Sequence, residues 1–553
     1  MLDKLENTNP QQTAMLDVVV VGAGFSGLYL LHRLRALGLS AKVLEAGGDV
    51  GGTWYWNRYP GARCDVESMS YSMSFDEDLQ QEWEWQERYS PQPEILDYAG
   101  HIADRFDLRR DIQFSTRVTE AVYDDDTGRW TIATDTGDRF SATFCVMATG
   151  CLSVPRKPDI PGLDEFEGDW YHTGLWPHEH IDLTGKRVGV IGTGSSAIQS
   201  IPVIADVAAH LTVFQRTAHY SVPAWNHPLD RDAQNAYKAK YHEYRERERT
   251  SPSGILYDTQ EINQKSAAEV PADIREQEFE KRWQQGGFNF QNTFCDVTSN
   301  QESNDLYAEF VRTKIRGMVD DPKVAEQLCP TDFPISSKRL CVDINYYATY
   351  NRDNVTLVDL KTSPITRITA NGLQAGDTQY DLDVIVFATG FDAMTGALLN
   401  IDVRGRQGQS LRDKWADGPR TFLGLAVAGY PNLFTVTGPG SPSVFTNMIV
   451  AIEQHVEWIT DCIGYLRDHD LDMIEADTRA EDDWVDHVRE LGEKTLYPKT
   501  ASWYMGANIP GKPRVFLPYV DSQYTYTQIC DRIAGNGYEG FTTGKVAKTP
   551  EAV

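Results

Sequence analysis

Two stretches of this chain repeat one local design, and that repeat limits the folds open to it. Residues 18–46 read VVVVGAGFSGLYLLHRLRALGLSAKVLEA and residues 187–217 read RVGVIGTGSSAIQSIPVIADVAAHLTVFQRT. Each is an apolar strand, a glycine turn, an amphipathic helix and a second strand, the opening of a dinucleotide-binding βαβ unit. Each has a distant closing segment, FCVMATG ending at Gly150 and VIVFATG ending at Gly390, with the pattern of a buried strand broken by glycine. The expected fold class is therefore α/β, with two interleaved Rossmann-like dinucleotide-binding domains. The first takes residues 15–150 and 390–541, the second 151–224 and 333–389. Residues 225–332 are rich in Glu, Gln, Lys and Arg, as in HEYRERERT and EQEFEKRWQQ, and read as a helical insertion. Residues 1–14 are expected as a flexible N-terminal tail and 542–553 as a C-terminal tail.

In the first unit the glycines have separate tasks. Gly22 makes the tight turn, Gly24 lets backbone approach a pyrophosphate, and Gly27 lets helix pack on strand, with Phe25 and Ser26 between them. The helix N-terminus offers N–H groups and partial positive charge to the phosphates. Glu45 ends the second strand, where a carboxylate binds both hydroxyls of a ribose and repels a 2′-phosphate. This site is expected to take FAD or NAD and to exclude NADP.

The second unit, Gly192-Thr193-Gly194-Ser195-Ser196-Ala197, differs where it matters. Glu45 stands 23 residues after Gly22, and the same step from Gly192 reaches Gln215. The carboxylate is gone, and Arg216 and Thr217 follow. A guanidinium that grips phosphate through paired hydrogen bonds suits the 2′-phosphate of NADP(H).

Composition removes other classes. Asp and Glu number 80 against 52 Lys and Arg, a net charge of −28, which argues against nucleic-acid or anionic-membrane partners. No stretch is long and apolar enough to span a bilayer, and the polar N-terminus has no secretory pattern. The eight cysteines include no CxxC pair, so neither a metal site nor a dithiol centre is expected, and a cytoplasmic setting is. Two nucleotide sites imply electron traffic from NADPH to a flavin. With no cysteine pair to accept electrons, oxygen is the remaining common acceptor. An NADPH oxidase and a non-enzymatic flavin carrier stay open at this point.

Two further patterns carry a resemblance. Phe166-Glu167-Gly168-Asp169-Trp170-Tyr171-His172-Thr173-Gly174-Leu175-Trp176-Pro177 fits FxGxxxHxxxWP, and residues 51–65, GGTWYWNRYPGARCD, fit [AG]GxWxxxx[FY]P[GM]xxxD. Over residues 16–541 the chain resembles the type I Baeyer–Villiger monooxygenases. The resemblance implies FAD and NADPH as cofactors, and a ketone and O2 as reactants. It implies a C4a-peroxyflavin that inserts oxygen to give an ester or lactone, with sulfoxidation as a side activity. It implies Arg339 as the catalytic charge and Asp65 as its ion-pair partner. For FAD it adds Gly52, Thr53, Trp54, Asp65, Tyr71 and Val118 to the residues above. For NADP it adds Arg63, Gln199, Lys338 and Trp503, the last on a loop that closes over the nucleotide. Cys151, Ser443, Val444 and Phe445 are implied to line the ketone pocket, with Phe445 bulkier than expected there. His172 is expected to couple domain positions, not to carry protons. Ser336-Ser337 stand where close relatives have Gly-Thr before the Lys-Arg pair. A monomer or weak homodimer fits. A flavin N- or S-hydroxylase of the same architecture is the alternative.

Overall fold

The structure is a computed structural model that describes residues 14–256 and 260–546. Of the expected N-terminal tail only Ala14 is described, and it instead opens the strand Ala14–Val21; the rest falls outside the described residues. Residues 541–544, expected in part as a C-terminal tail, instead form the strand Phe541–Gly544, paired antiparallel with Met473–Ala476.

The first sheet has eight strands. Its order is Asp402–Arg404, Val118–Asp124, Arg129–Thr134, Arg139–Met147, Ala14–Val21, Ala41–Leu44 and Ile112–Gln113, with Leu433–Thr435 also paired to Arg139–Met147. Val18, Val19 and Val20 are wholly buried, as expected of a central parallel strand covered on both faces. The helix Phe25–Ala36 covers one face and is itself covered by the long helix Met448–Asp468. Arg33 Nε donates to Thr460 Oγ1 (3.2 Å) and Tyr29 Oη to Glu457 Oε1 (3.0 Å) across that contact. Sequence-distant strands thus complete one sheet, which is what interleaving means physically.

The second sheet is all parallel: Val355–Asp359, His210–Gln215, Arg187–Ile191, Val384–Phe387 and Asp169–His172. An antiparallel three-stranded unit, Ile365–Thr369, Gly372–Ala375 and Thr378–Asp381, packs Ile368 and Leu373 against Phe214, Ile385 and Phe387.

Between the halves of the second unit lie the helices Arg231–Lys238, Tyr241–Thr250, Ala272–Gln285, Gln301–Met318 and Pro322–Leu328. Local signals start them: Asn300 accepts from the N–H groups of Glu302 and Ser303, and Asp321 from those of Lys323 and Val324. An aromatic core of Phe279, Phe290, Phe294, Tyr307 and Phe310 holds them together. Tyr241 joins the core of the first unit, with Tyr237 and Ile255 packed beside it, and a polar cluster fixes the contact. The buried Arg245 donates to Glu248 Oε2 (2.8 Å), Gln80 Oε1 (3.1 Å), Ser72 Oγ (2.6 Å) and the carbonyls of Met69 and Ser70. A buried guanidinium is tolerable only when its donors are satisfied this fully. Among the described residues no helix is long and apolar enough to cross a membrane.

The two nucleotide units touch through the loop that carries the second sequence pattern. Gly61 (φ +81°) lies so close to the helix Ser195–Val207 that a Cβ there would come within 2.3 Å of the Gln199 carbonyl. Only glycine permits that approach.

Candidate active site

Each glycine turn does what its residues allow. Gly22 has φ +107°, and a Cβ on Gly27 would lie 1.9 Å from the Gly22 carbonyl oxygen, so the helix Phe25–Ala36 starts directly against its strand. Ser26 and Phe25 are buried, and the Phe25 ring meets Tyr71 edge-on at 6.2 Å. Both Glu45 oxygens accept backbone N–H groups at 2.6 Å, Oε2 from Ala23 and Oε1 from Gly47. Burial holds its pKa above the ordinary value, against the opposing pull of those two N–H groups. Each oxygen keeps acceptor capacity for a ribose hydroxyl. Gly52 (φ +52°) faces Gly24, where a Cβ would come within 2.9 Å of the Gly24 Cα. Two backbone loops without side chains thus meet at the mouth of the first site, a cradle that suits a pyrophosphate and fits FAD. Thr53 is exposed beside it. Trp54 is buried and donates its indole N–H to Tyr71 Oη (3.1 Å). Val118, by contrast, lies in the strand core with Val21 and Leu44.

The second turn is built alike. Gly192 has φ +124°, and Gly194 caps the helix Ser195–Val207. A Cβ on Gly194 or on Gly390 would meet nothing within 4 Å, so space is open before that helix N-terminus. Thr193 Oγ1 donates to the Thr217 carbonyl (2.6 Å), and Ser195 Oγ lies 3.2 Å from Cys341 Sγ. The Ser196 carbonyl accepts from Ser200 Oγ. Beyond the strand end a cavity of about 540 Å³ is lined by Gln215, by Arg216, Lys323 and Lys361, and by the carboxylates of Glu326, Asp332 and Asp359, with Lys361 bonded to Asp332. Gln215 is buried, with its Nε2 donating to the Gln327 carbonyl (2.6 Å) and its Oε1 unpartnered among the described residues. Lys338 packs its ammonium over Phe333 (4.4 Å). Burial, then repulsion from Arg216, lower its pKa. Two cations that repel each other beside an open cavity fit an anionic group, and so fit NADP. Gln199 is already engaged: its Oε1 accepts from Tyr59 Oη (2.8 Å) and the Arg63 N–H (3.3 Å), and its Nε2 donates to the Arg63 carbonyl (3.1 Å). The Arg63 guanidinium is held by Glu87 (2.8 Å) and the Tyr89 carbonyl (2.5 Å).

Arg339 stands between these sites. It precedes the strand Cys341–Asp343, which pairs with Ser221–Pro223. Its Nε and Nη2 grip Asp65 Oδ2 and Oδ1 at 2.8 and 2.7 Å, and Nη1 donates to the Val444 carbonyl at 2.6 Å. The Phe288 ring lies 4.8 Å from the guanidinium carbon. Burial alone would lower the pKa of Arg339, but the Asp65 charge and hydrogen bonds overcome it and hold the group well above its ordinary value. Three of five N–H donors are used in these bonds, and the Tyr504 hydroxyl also meets the guanidinium. The side chain is 24% exposed, so the guanidinium is not sealed on every side. Ser336 has φ +66°, a conformation natural to glycine, and its buried Oγ has no partner among the described residues. The turn keeps its shape although glycine is absent.

Cys151, Val444, Tyr497, Tyr504, Ala393, Met394 and Leu517 form one apolar cluster, with Phe445 and Trp503 packed against it. Phe445 lies 4.9 Å from the Tyr497 ring and 4.7 Å from that of Tyr504, and Ser443 Oγ is 3.8 Å from Met394 Sδ. The four pocket residues and the loop tryptophan thus come together beside Arg339. Sequence reasoning missed Tyr497, Tyr504 and Phe288. For Phe288 the available signal was the Gly286-Gly287 pair, both at positive φ, which turns the insertion back toward Arg339.

In the other motif Phe166 packs in the hydrophobic layer under the second sheet. A Cβ on Gly168 would come within 2.6 Å of the Phe166 ring. Trp176 is buried against Tyr171 (5.2 Å), and Pro177 is partly buried beside it. His172 is buried. Its Nδ1 accepts from the Gly174 N–H (2.9 Å), and its Nε2 lies 3.1 Å from Thr389 Oγ1, which donates to the Arg156 carbonyl (2.8 Å). The ring thus joins a strand end to both chain crossings between the units, and it touches neither Arg339 nor Asp65 through any of these bonds. Burial lowers its pKa to about 4.

Residues 19–266 match the family described as pyridine nucleotide-disulphide oxidoreductase. A Baeyer-Villiger monooxygenase of Pseudooceanicola batsensis is 43% identical, over 97% of each chain. A phenazine N-monooxygenase of Lysobacter antibioticus is 41% identical, over 95% of this chain and 96% of its own. Among solved structures, an oxidized steroid monooxygenase bound to NADP is 50% identical with a TM-score of 0.92, covering 96% of this chain and all of its own.

The state of His172 gives a pH dependence. An unfolded imidazole takes up its proton near pH 6.5, and the folded ring only near pH 4. Stability therefore falls as pH drops through that window, by about 3 kcal/mol at most from this ring. Thermal unfolding followed from pH 7 to pH 4 should show a shallower acid loss in His172→Gln than in the unmodified protein. Equal slopes would remove His172 from the acid response.

Proposed function

The chain belongs to the type I Baeyer–Villiger monooxygenases, and on that footing we propose how its residues divide the work of inserting one oxygen atom beside a ketone carbonyl. FAD and NADP(H) are its cofactors. Bound FAD, reduced by NADPH, supplies the two-electron chemistry that activates O2.

The adenosine ribose of FAD is assigned to Glu45 and its pyrophosphate to the backbone around Gly22, Gly24 and Gly52. The NADP pyrophosphate is assigned to the helix N-terminus at Gly194, Ser195 and Ser196, and its 2′-phosphate to Arg216 and Lys338. Trp503 and its loop cover the nicotinamide nucleotide and exclude water. Gln199 and Arg63 join the two units at this place and act on NADP through that join.

Arg339 is the catalytic charge. The reaction builds negative charge on oxygen, and a preorganised cation in a water-poor pocket stabilises such charge far more than water would. Asp65 fixes the guanidinium plane through two bonds, so that its remaining N–H capacity is held on the side away from Asp65, toward the reacting oxygen. The single observation that carries this reading is the two-point Arg339–Asp65 pair set between the glycine turns and the Cys151–Phe445 pocket. Sulfoxidation is expected as a side activity. The eight unpaired cysteines support a reducing, cytoplasmic setting.

The phenazine N-monooxygenase relative keeps amine oxidation in view as the second reading. A ketone panel and an amine panel, each with NADPH and air and with products identified by mass, separate the two. Ester or lactone without N-oxide supports the ketone reading, and N-oxide without ester overturns it.

Arg339→Ala should keep bound FAD and its reduction by NADPH but lose ester formation by about 10²-fold or more. Anaerobic reduction traces and product yield check this, and full ester yield would take Arg339 out of the mechanism. Phe445 narrows the ketone pocket, so Phe445→Ala should widen the range toward bulky ketones. An unchanged range across small and bulky ketones would discard that role.

A further inference from the structure

The segment 500–517 is held at two ends by different bodies. At its base the Thr500 and Ser337 hydroxyls hydrogen-bond at 2.6 Å, two residues before Arg339, and Lys499 Nζ donates to Gln301 Oε1 of the helical insertion (2.9 Å). At its tip Asn508 Nδ2 donates to the Phe391 carbonyl (2.7 Å). Lys512 Nζ bonds Asp392 Oδ1 (2.6 Å) and the Ala393 carbonyl (2.8 Å). The Lys512 side chain is 11% exposed and that of Asp392 30%, so the pair is partly shielded from solvent.

The surface it docks on is the double crossover between the nucleotide units. Residues 390–394 leave the second unit and 151–156 leave the first, and they bind each other. The Arg156 N–H donates to the Gly390 carbonyl (2.8 Å), Asp392 N–H to Val154 (2.8 Å) and Met394 N–H to Cys151 (2.8 Å). A shift of one unit against the other moves Asp392 relative to the base of the segment at Ser337.

We propose that Lys512 is a positioning residue, a latch that holds the 500–517 segment down on the double crossover and so ties its closure to the relative placement of the two nucleotide units. The proposal rests on the reading that this segment covers the nicotinamide nucleotide. Opening the latch exposes the site to water and favours uncoupled turnover, in which NADPH, a proton and O2 give NADP+ and H2O2. Neither Lys512 nor Asp392 touches the reacting atoms in this account, so the effect runs through the segment.

The test uses the FAD-loaded protein, with and without NADP+, and chymotrypsin, which cuts after Trp503 and Tyr504. The variants are Lys512→Met, Asp392→Asn, the pair together, and Lys512→Arg. Both single losses should speed cleavage several-fold in the presence of NADP+ and raise H2O2 per NADPH several-fold at equal FAD content. The pair should be no worse than the worse single, and Lys512→Arg should restore most of both properties. Cleavage of Lys512→Met no faster than that of the unmodified protein, with or without NADP+, overturns the latch, as do losses that multiply in the pair. A different result concerns the covering role alone. If NADP+ fails to protect the unmodified segment while Lys512→Met still speeds its cleavage, the latch stands and the covering role falls.

Discussion

One ion pair organises this molecule's chemistry: the Arg339 guanidinium held at two points by Asp65. The partners are 274 residues apart in sequence, so the pair forms only when the glycine-rich loop of the first unit and the segment that leads into the strand Cys341–Asp343 are both in place. Arginine suits the task because it stays charged under almost any condition and because its planar fork can be fixed on one side while donors remain on the other. The cost of placing a cation in a poorly solvated pocket is offset by Asp65 and the Val444 carbonyl. Those same bonds prevent the charge from turning away.

Everything around the pair serves its placement. Two sheets, one mixed and one all parallel, present their glycine turns at the ends of parallel strands, and the helix starts there supply N–H groups for phosphates. Gly61 and Gln199 bring the units into backbone contact. The insertion adds Phe288 above the guanidinium and, through Arg245, fixes the loop that carries Tyr71. His172 binds the crossovers from behind without entering the chemistry.

Much of this could be read from residues alone, because it follows from local rules. Four valines followed by Gly22-Ala23-Gly24 can hardly be anything but a buried strand and a nucleotide turn. The replacement of Glu45's counterpart by Gln215 reports the cofactor difference in one position. What could not be read depends on long-range packing. The Phe541–Gly544 strand has no strong alternation and is strand only because Met473–Ala476 lies beside it. The side chain of Val118 packs in the strand core, a placement its position in the sequence does not reveal. The Gln199 amide is bonded by Tyr59 and Arg63 of the neighbouring unit, a join invisible in the spacing. Tyr497 and Tyr504 join the pocket because the 500–517 segment folds back, and no spacing announces that.

The most direct measurement of the central claim is a crystal structure of the protein with FAD and NADP+ bound. The account requires a free Arg339 N–H within about 3 Å of the flavin edge or of an oxygen-mimicking anion beside it, with Asp65 still gripping the far side. A guanidinium turned to solvent, or separated from the flavin by intervening side chains, would contradict it.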